Sequence, residues 1–197
     1  MADPVSKSSP HYSRDLALVT KQVLVNLAAS FRDTIAKAYY AKNKKTFEKY
    51  TGLFTALCDD VNTLAATQQE LLLGNWLDQA RDFGTTDAEK NYYEKSARVL
   101  ITTWGGEDNV TTDYAAKDWA GLISTYYKGR WELFFNELRK TIKTGTEPDM
   151  KAFNKQRAKF DWEWANKNQS EQHFPSKPVG NTIKTCEDLY KKWVLYL

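Results

Sequence analysis

The stretch FEKYTGLFTALCDDVNTL, residues 47–64, carries the repeat that decides the fold. Its apolar residues recur at alternating steps of three and four, at Phe47, Tyr50, Phe54, Leu57, Val61 and Leu64. This spacing is typical of one face of an α-helix, and its a/d pattern indicates an antiparallel neighbour. We therefore predict a helix over residues 44–66 that packs along a second helix.

The predicted neighbour lies immediately upstream. Residues 14–41 carry the same period, at Leu16, Val19, Val23, Leu27, Phe31, Ile35 and Ala38. Because the connection through Lys42, Asn43 and Lys44 is short, we expect the two helices to form an αα-hairpin.

Capping signals divide the next part of the chain. Thr67 with Glu70, and Thr86 with Glu89, have the spacing of a capping box, in which two side chains satisfy free backbone amides at a helix start. They predict a third helix that ends at a left-handed Gly84, and a fourth that ends at Trp104. Residues 105–112 then form a polar, glycine-rich loop.

The remaining helices are predicted in the same way. Asp113 is expected to cap a fifth helix, which Lys128 and Gly129 interrupt, and a sixth helix ends near Gly145. Pro148 is expected as the first residue of a seventh helix. Residues 174–181 are irregular, and a last helix runs from residue 183 to the C-terminus.

No segment shows the alternating pattern of a strand, and the chain has only nine glycines and five prolines for tight turns. The sequence therefore predicts an all-α bundle of about seven to eight helices with no significant sheet. We assign residues 13–197 to a single domain, preceded by a flexible leader over residues 1–12.

Charge and hydropathy exclude several classes of protein. The 28 basic and 25 acidic side chains nearly balance, unlike the concentrated positive charge of a nucleic-acid-binding protein. No apolar run approaches the ~20 residues that span a bilayer, and residues 1–10 lack the apolar segment of a secretory signal. The chain is therefore either intracellular or one piece of a longer chain with its signal upstream. Cys58 and Cys186 lie on apolar helical stripes and are expected to be free thiols.

Catalytic groups are scarce. His11 and His173 lack metal-ligand spacing, so we expect no metal and no cofactor. Glu107, Asp108 and Asp113 crowd one loop, as a glycosidase carboxylate pair could. The capping role of Asp113 is the better explanation, with the other two as ordinary loop acids, so no catalytic residue is assigned.

Trp104 differs from the other tryptophans because it stands directly before Gly105 and Gly106. Its ring could project from the end of the bundle and stack on the C–H face of a sugar. From the sequence alone, packing in the core remains the favoured alternative.

Four strings carry a resemblance to a known family: LLLGNWLDQAR from Leu71, YYEKSARVLITTWG from Tyr92, DYAAKDWAGLISTYYKGRW from Asp113 and FPSKPVGNT from Phe174. In this order and spacing the chain resembles the C-terminal helical domain of the alpha-N-acetylglucosaminidases, glycoside hydrolases that remove terminal α-linked N-acetylglucosamine. The resemblance covers nearly everything after about Tyr12.

The resemblance implies that a TIM-type barrel upstream supplies two catalytic glutamates for a retaining mechanism. The helical domain packs on that barrel and completes the sugar pocket, with substrate-binding positions that fall on Trp104, Val110 and Tyr114. Because this chain lacks the barrel and both glutamates, we predict that it is inactive alone.

The implied partners are the barrel and a terminal N-acetylglucosamine, and the implied location is secreted, periplasmic or lysosomal as part of the parent enzyme. Arg98 and Arg130 match basic family positions, and both are expected to be structural. The alternative function is a stand-alone helical module that binds a glycan or a protein without hydrolysis.

Overall fold

The computed structural model of the chain describes residues 9–108 and 111–197. These residues form seven α-helices: α1 Pro10–Tyr40, α2 Lys44–Ala65, α3 Leu73–Arg81, α4 Asp87–Ile101, α5 Lys128–Thr144, α6 Met150–Ala165 and α7 Thr182–Trp193. Short 3₁₀ turns lie at Gln69–Leu71 and Val194–Tyr196, and a π-helical turn at Ile123–Tyr127 leads directly into α5.

The predicted hairpin of α1 and α2 is confirmed and forms the centre of the larger core. Asn43 caps α2 by accepting a hydrogen bond from the backbone amide of Thr46, at 3.1 Å. The apolar face of α2 is buried against α1, α5 and α7, and its fully buried side chains include Phe47, Leu57 and Leu64.

A smaller core lies beside the first and brings α3, α4 and α6 together. Its buried members are Leu73, Leu77, Ala97, Ile101, Leu122, Tyr126, Trp164 and Phe174. Within the two described ranges the only strand-like pairing is one parallel bridge, where Leu72 meets Ala120. The all-α prediction is therefore confirmed for the described part of the chain.

Several local predictions are also confirmed. Thr86 and Glu89 form a capping box at the start of α4, and Gly145 ends α5 in the left-handed region at φ 72°. Residues 174–181 are irregular, and both cysteines are free thiols. Of the predicted leader, residues 1–8 lie outside the described residues, and residues 10–12 belong to α1.

Two predicted boundaries around α3 are wrong. Thr67 caps nothing, because its buried hydroxyl donates to the carbonyl of Leu64 at 2.8 Å. Glu70 instead pairs with Arg14, at 2.7 Å. The helix ends at Arg81, and Gly84 is not left-handed. A Cβ at Gly84 would lie 2.5 Å from the backbone nitrogen of Lys90, so the glycine permits a close approach of two segments.

The largest correction concerns residues 113–129. Asp113 starts no helix: its backbone is left-handed at φ 58°, and the helical conformation begins only at Leu122. The predicted fifth and sixth helices are one continuous element, because Gly129 lies inside α5 and packs against the ring of Phe160. α6 begins at Met150 and not at the predicted Pro148, and its cap is Asp149, which accepts from the amide of Ala152.

Candidate functional site

The structure brings Trp104 and Tyr114 together at the end of α4. Their ring centroids are 5.1 Å apart and their planes are inclined by 44°. Both rings face solvent, with 41% of Trp104 and 74% of Tyr114 exposed. Val110, the third predicted substrate-binding residue, lies outside the described residues. The two rings present adjacent apolar faces, each with a polar atom, which is the combination that a pyranose ring can contact.

The backbone at the end of α4 places Trp104 at the surface. The helix ends at Ile101, and the amide of Trp104 donates to the carbonyl of Val99 at 2.8 Å. Thr102 is buried, and its hydroxyl donates to the carbonyl of Arg98 at 2.6 Å. Trp104 itself has a φ of 57°, a left-handed conformation that costs a non-glycine residue roughly 1–2 kcal/mol.

A second left-handed residue places Tyr114. The amide of Asp113 donates to the carbonyl of Thr102 at 2.7 Å, which closes the base of the loop that begins after α4. Tyr114 follows Asp113 in a turn, and not in the first turn of a helix as the sequence predicted. Two left-handed residues therefore flank the loop, Trp104 and Asp113, of which the bulky Trp104 is the strained one.

An ion-pair cluster connects Asp113 to α5 and α6. The carboxylate of Asp113 pairs with Arg130, whose Nε lies 3.4 Å from Oδ1 of Asp161, and Arg157 pairs with Oδ2 of Asp161 at 3.0 Å. Asp161 is 1% exposed. Its burial raises its pKa to about 6, although the two arginines act in the opposite direction. The guanidinium of Arg130 also lies over the ring of Tyr126, 5.1 Å from its centroid.

The cluster opens into a cavity of about 380 Å³, which neither Trp104 nor Tyr114 lines. The charged groups that line it are Asp113, Arg130 and Arg157, and the aromatic ones are Tyr127, Trp131, Phe134 and Phe153. This mixture can accommodate a polar group next to apolar walls.

The remaining candidate acids lie in two different settings. Glu107 and Asp108 are exposed in the turn that follows Trp104, and Asp113 is engaged by Arg130. Among the described residues, no group of three or more His, Cys, Asp or Glu side chains is placed to hold a metal ion. The site can therefore contact a ligand through ring faces and hydrogen bonds.

Arg98 and Arg130 are both engaged in ion pairs, as the sequence analysis expected. Arg98 is fully buried with Glu94 at 2.9 Å, and its guanidinium lies 4.8 Å from the ring of Trp164. The link from Arg130 to Asp113 and Asp161 was not predicted from the sequence. The i,i+4 spacing of Arg157 and Asp161 was the local signal available for part of this cluster.

Comparison with known proteins identifies the family. The alpha-N-acetylglucosaminidase (NAGLU) C-terminal domain family matches residues 1–192. The chain belongs to this family. The human alpha-N-acetylglucosaminidase is 30% identical over 191 residues, which cover 96% of this chain and 25% of the human protein. The chain therefore spans about a quarter of the length of this relative.

Solved structures agree with this assignment. A family 89 glycoside hydrolase from Clostridium perfringens, in complex with 2-acetamido-1,2-dideoxynojirmycin, matches with a TM-score of 0.83 and 28% identity. The match covers 94% of this chain and 21% of that one, and a complex of the same hydrolase with PUGNAc matches equally well. The described residues contain no helix with the length and hydropathy to cross a membrane.

Proposed function

We propose that this chain is the pocket-completing part of an exo-acting, retaining alpha-N-acetylglucosaminidase. In this proposal Trp104, Tyr114 and Val110 contact the terminal α-linked N-acetylglucosamine. A TIM-type barrel in the rest of the parent enzyme supplies the catalytic glutamates. The parent acts as a secreted, periplasmic or lysosomal enzyme.

The exposed pair of Trp104 and Tyr114 is the observation that carries the proposal. Trp104 is 41% exposed on a strained, left-handed backbone, and its ring meets that of Tyr114, which is 74% exposed. Strain of this kind is typical of binding sites, because the surrounding structure must maintain it. Solved relatives support the class of ligand, since one was crystallised with its substrate GlcNAc-alpha-1,4-galactose.

The exposed apolar surface favours a domain with a partner over a self-sufficient binding module. A groove of about 400 Å³ lies between α1 and α7. Its rim includes Val19 and Tyr190, which are 63% and 61% exposed, and the C-terminal Leu197 is also exposed. Large apolar patches on a surface usually mark a missing partner.

The test uses a chimeric enzyme, the joined protein, in which this chain replaces the matching part of the Clostridium perfringens family 89 hydrolase. We expect the joined protein to hydrolyse a chromogenic α-N-acetylglucosaminide and the chain alone to show no turnover. Trp104→Ala and Tyr114→Ala should each lower kcat/KM of the joined protein at least about tenfold, because the rings orient the sugar. The exposed Tyr92→Ala is the matched control and should have no effect.

Two results would contradict the proposal. Turnover by the chain alone, abolished by Glu107→Gln, would place the chemistry in this domain. Binding of an N-acetylglucosamine-terminated glycan by the chain alone, with no gain in turnover by a correctly folded joined protein, would favour the stand-alone module. Circular dichroism of every protein verifies folding before the comparison is made.

A further inference from the structure

Asp113 links the end of α4 to the start of α5. Its amide donates to the carbonyl of Thr102 at the end of α4, and its carboxylate pairs with Arg130 in the first turn of α5. Its φ of 58° lies in the left-handed region, which most non-glycine residues avoid and which aspartate tolerates better than most. Tyr114 is the next residue, so a change in this conformation moves its ring directly.

Arg130 is held in place by groups on two other elements. Its Nε lies 3.4 Å from Asp161 on α6, and its guanidinium stacks over Tyr126 in the π-helical turn. The side chain of Arg130 is only 19% exposed. A planar guanidinium can serve both carboxylates and the ring at once, which the single point charge of a lysine cannot do.

We propose that Arg130 is a positioning residue for the sugar site: it holds Asp113 in its left-handed conformation and so sets the Trp104–Tyr114 pair. Asp161 contributes indirectly, because it orients the guanidinium of Arg130. The effect of Arg130 on catalysis rests on the proposed function, whereas its effect on the two rings does not.

Arg139 provides a matched control on the same helix. It pairs with Glu48 at 2.9 Å, donates to the hydroxyl of Thr51 at 3.1 Å and lies 6.0 Å from the ring of Phe47. It therefore makes the same kinds of contact as Arg130, but to α2 and not to the site. Loss of Arg139 affects stability without a route to Trp104 or Tyr114.

The first experiment measures amide hydrogen exchange by NMR in this chain and in its Arg130→Gln, Arg130→Lys and Arg139→Gln variants. In Arg130→Gln we expect exchange of the Asp113 amide to accelerate at least about tenfold relative to core amides of α2, because a charge-assisted contact is lost. Nuclear Overhauser contacts between the rings of Trp104 and Tyr114 should weaken. Arg130→Lys should give an exchange rate and ring contacts intermediate between those of the original chain and of Arg130→Gln. Arg139→Gln should leave both measurements unchanged.

A second variant protects the test against a failure to fold. Asp113→Asn removes the charge, but asparagine tolerates the left-handed backbone, so the turn itself is retained. We expect it to accelerate exchange at position 113 in the same direction as Arg130→Gln. Unchanged exchange and unchanged ring contacts in both Arg130→Gln and Asp113→Asn would overturn the positioning role.

Kinetics of the joined enzyme then separate this inference from the proposed function. Arg130→Gln should raise KM and lower kcat/KM at least about tenfold, with partial recovery in Arg130→Lys, while Arg139→Gln keeps the original values. Faster exchange at Asp113 without a kinetic effect would support the positioning role but contradict the placement of Trp104 and Tyr114 in the sugar pocket.

Discussion

The substitution Trp104→Ala distinguishes a surface binding ring from a core ring. Truncation of a buried tryptophan costs about 3–5 kcal/mol of unfolding free energy. Because Trp104 is 41% exposed, fewer contacts are lost, and we expect Trp104→Ala to cost about 2 kcal/mol. The matched control is Trp164, which is 2% exposed and donates to the hydroxyl of Thr125 at 2.9 Å. Trp164→Ala should cost the full ~3–5 kcal/mol.

The backbone of Trp104 adds a second expectation. At a φ of 57° alanine still carries the left-handed strain, whereas glycine does not. Trp104→Gly should therefore be about 1 kcal/mol more stable than Trp104→Ala, although it removes one more carbon. Gly106→Ala is the reference for a glycine-to-alanine difference without left-handed strain. Its added Cβ would meet nothing within 4 Å, and its φ is not positive.

Urea denaturation followed by circular dichroism measures these differences on the isolated chain. Equal losses in Trp104→Ala and Trp164→Ala would return Trp104 to a core role and refute the surface-ring argument. If Trp104→Gly is no more stable than Trp104→Ala, the left-handed strain at this position is not real.

Three further outcomes follow from the structure. Gly74→Ala should destabilise the chain by more than about 2 kcal/mol in urea denaturation, because the added Cβ would lie 2.3 Å from the carbonyl oxygen of Pro175. Gly52→Ala, on an open helix surface, is the control and should stabilise the chain by about 1 kcal/mol. Thr86→Ala should cost about 1 kcal/mol through loss of the α4 cap, and unchanged unfolding would contradict the capping box. Carbon-detected NMR should give Asp161 a pKa of about 6, above its unfolded value of 3.8. The contribution of Asp161 to the free energy of unfolding should therefore fall as the pH rises from 3.8 to 6, and Asp161→Asn should remove this pH dependence.

The helical bundle was predictable because its signals repeat over many turns. The α1–α2 hairpin rests on an apolar period that continues for the length of both helices, so no single residue decides it. The capping box at Thr86 is equally local, with both partners three residues apart. Such features need no knowledge of the rest of the fold.

The segment after α4 was not predictable in the same way, because distant contacts decide it. Asp113 has a cap-like position in the sequence, but the bond to Thr102 and the ion pair with Arg130 hold it in a left-handed turn. The capping box predicted from the spacing of Thr67 and Glu70 is wrong for the same reason, because Glu70 pairs with Arg14 on α1. A capping pattern shows which local bond is possible, not which partner competes for the side chain.

The proximity of the two aromatic rings was predicted despite the wrong helix start. The resemblance to the family placed Trp104 and Tyr114 in one site, and their ring contact at 5.1 Å depends on the closure between Asp113 and Thr102. Trp119 is only partly buried, and its ring centroid lies 5.8 Å from that of Trp76. Burial of an aromatic ring depends on packing between elements, which a helical stripe alone does not specify.

The most direct test of the central claim is a crystal structure of the joined protein with 2-acetamido-1,2-dideoxynojirmycin, the compound held by the Clostridium perfringens relative. We predict that ring atoms of both Trp104 and Tyr114 lie within about 4.5 Å of the bound compound. A compound bound in the hydrolase with both rings beyond contact distance would contradict the claim that this domain completes the sugar pocket.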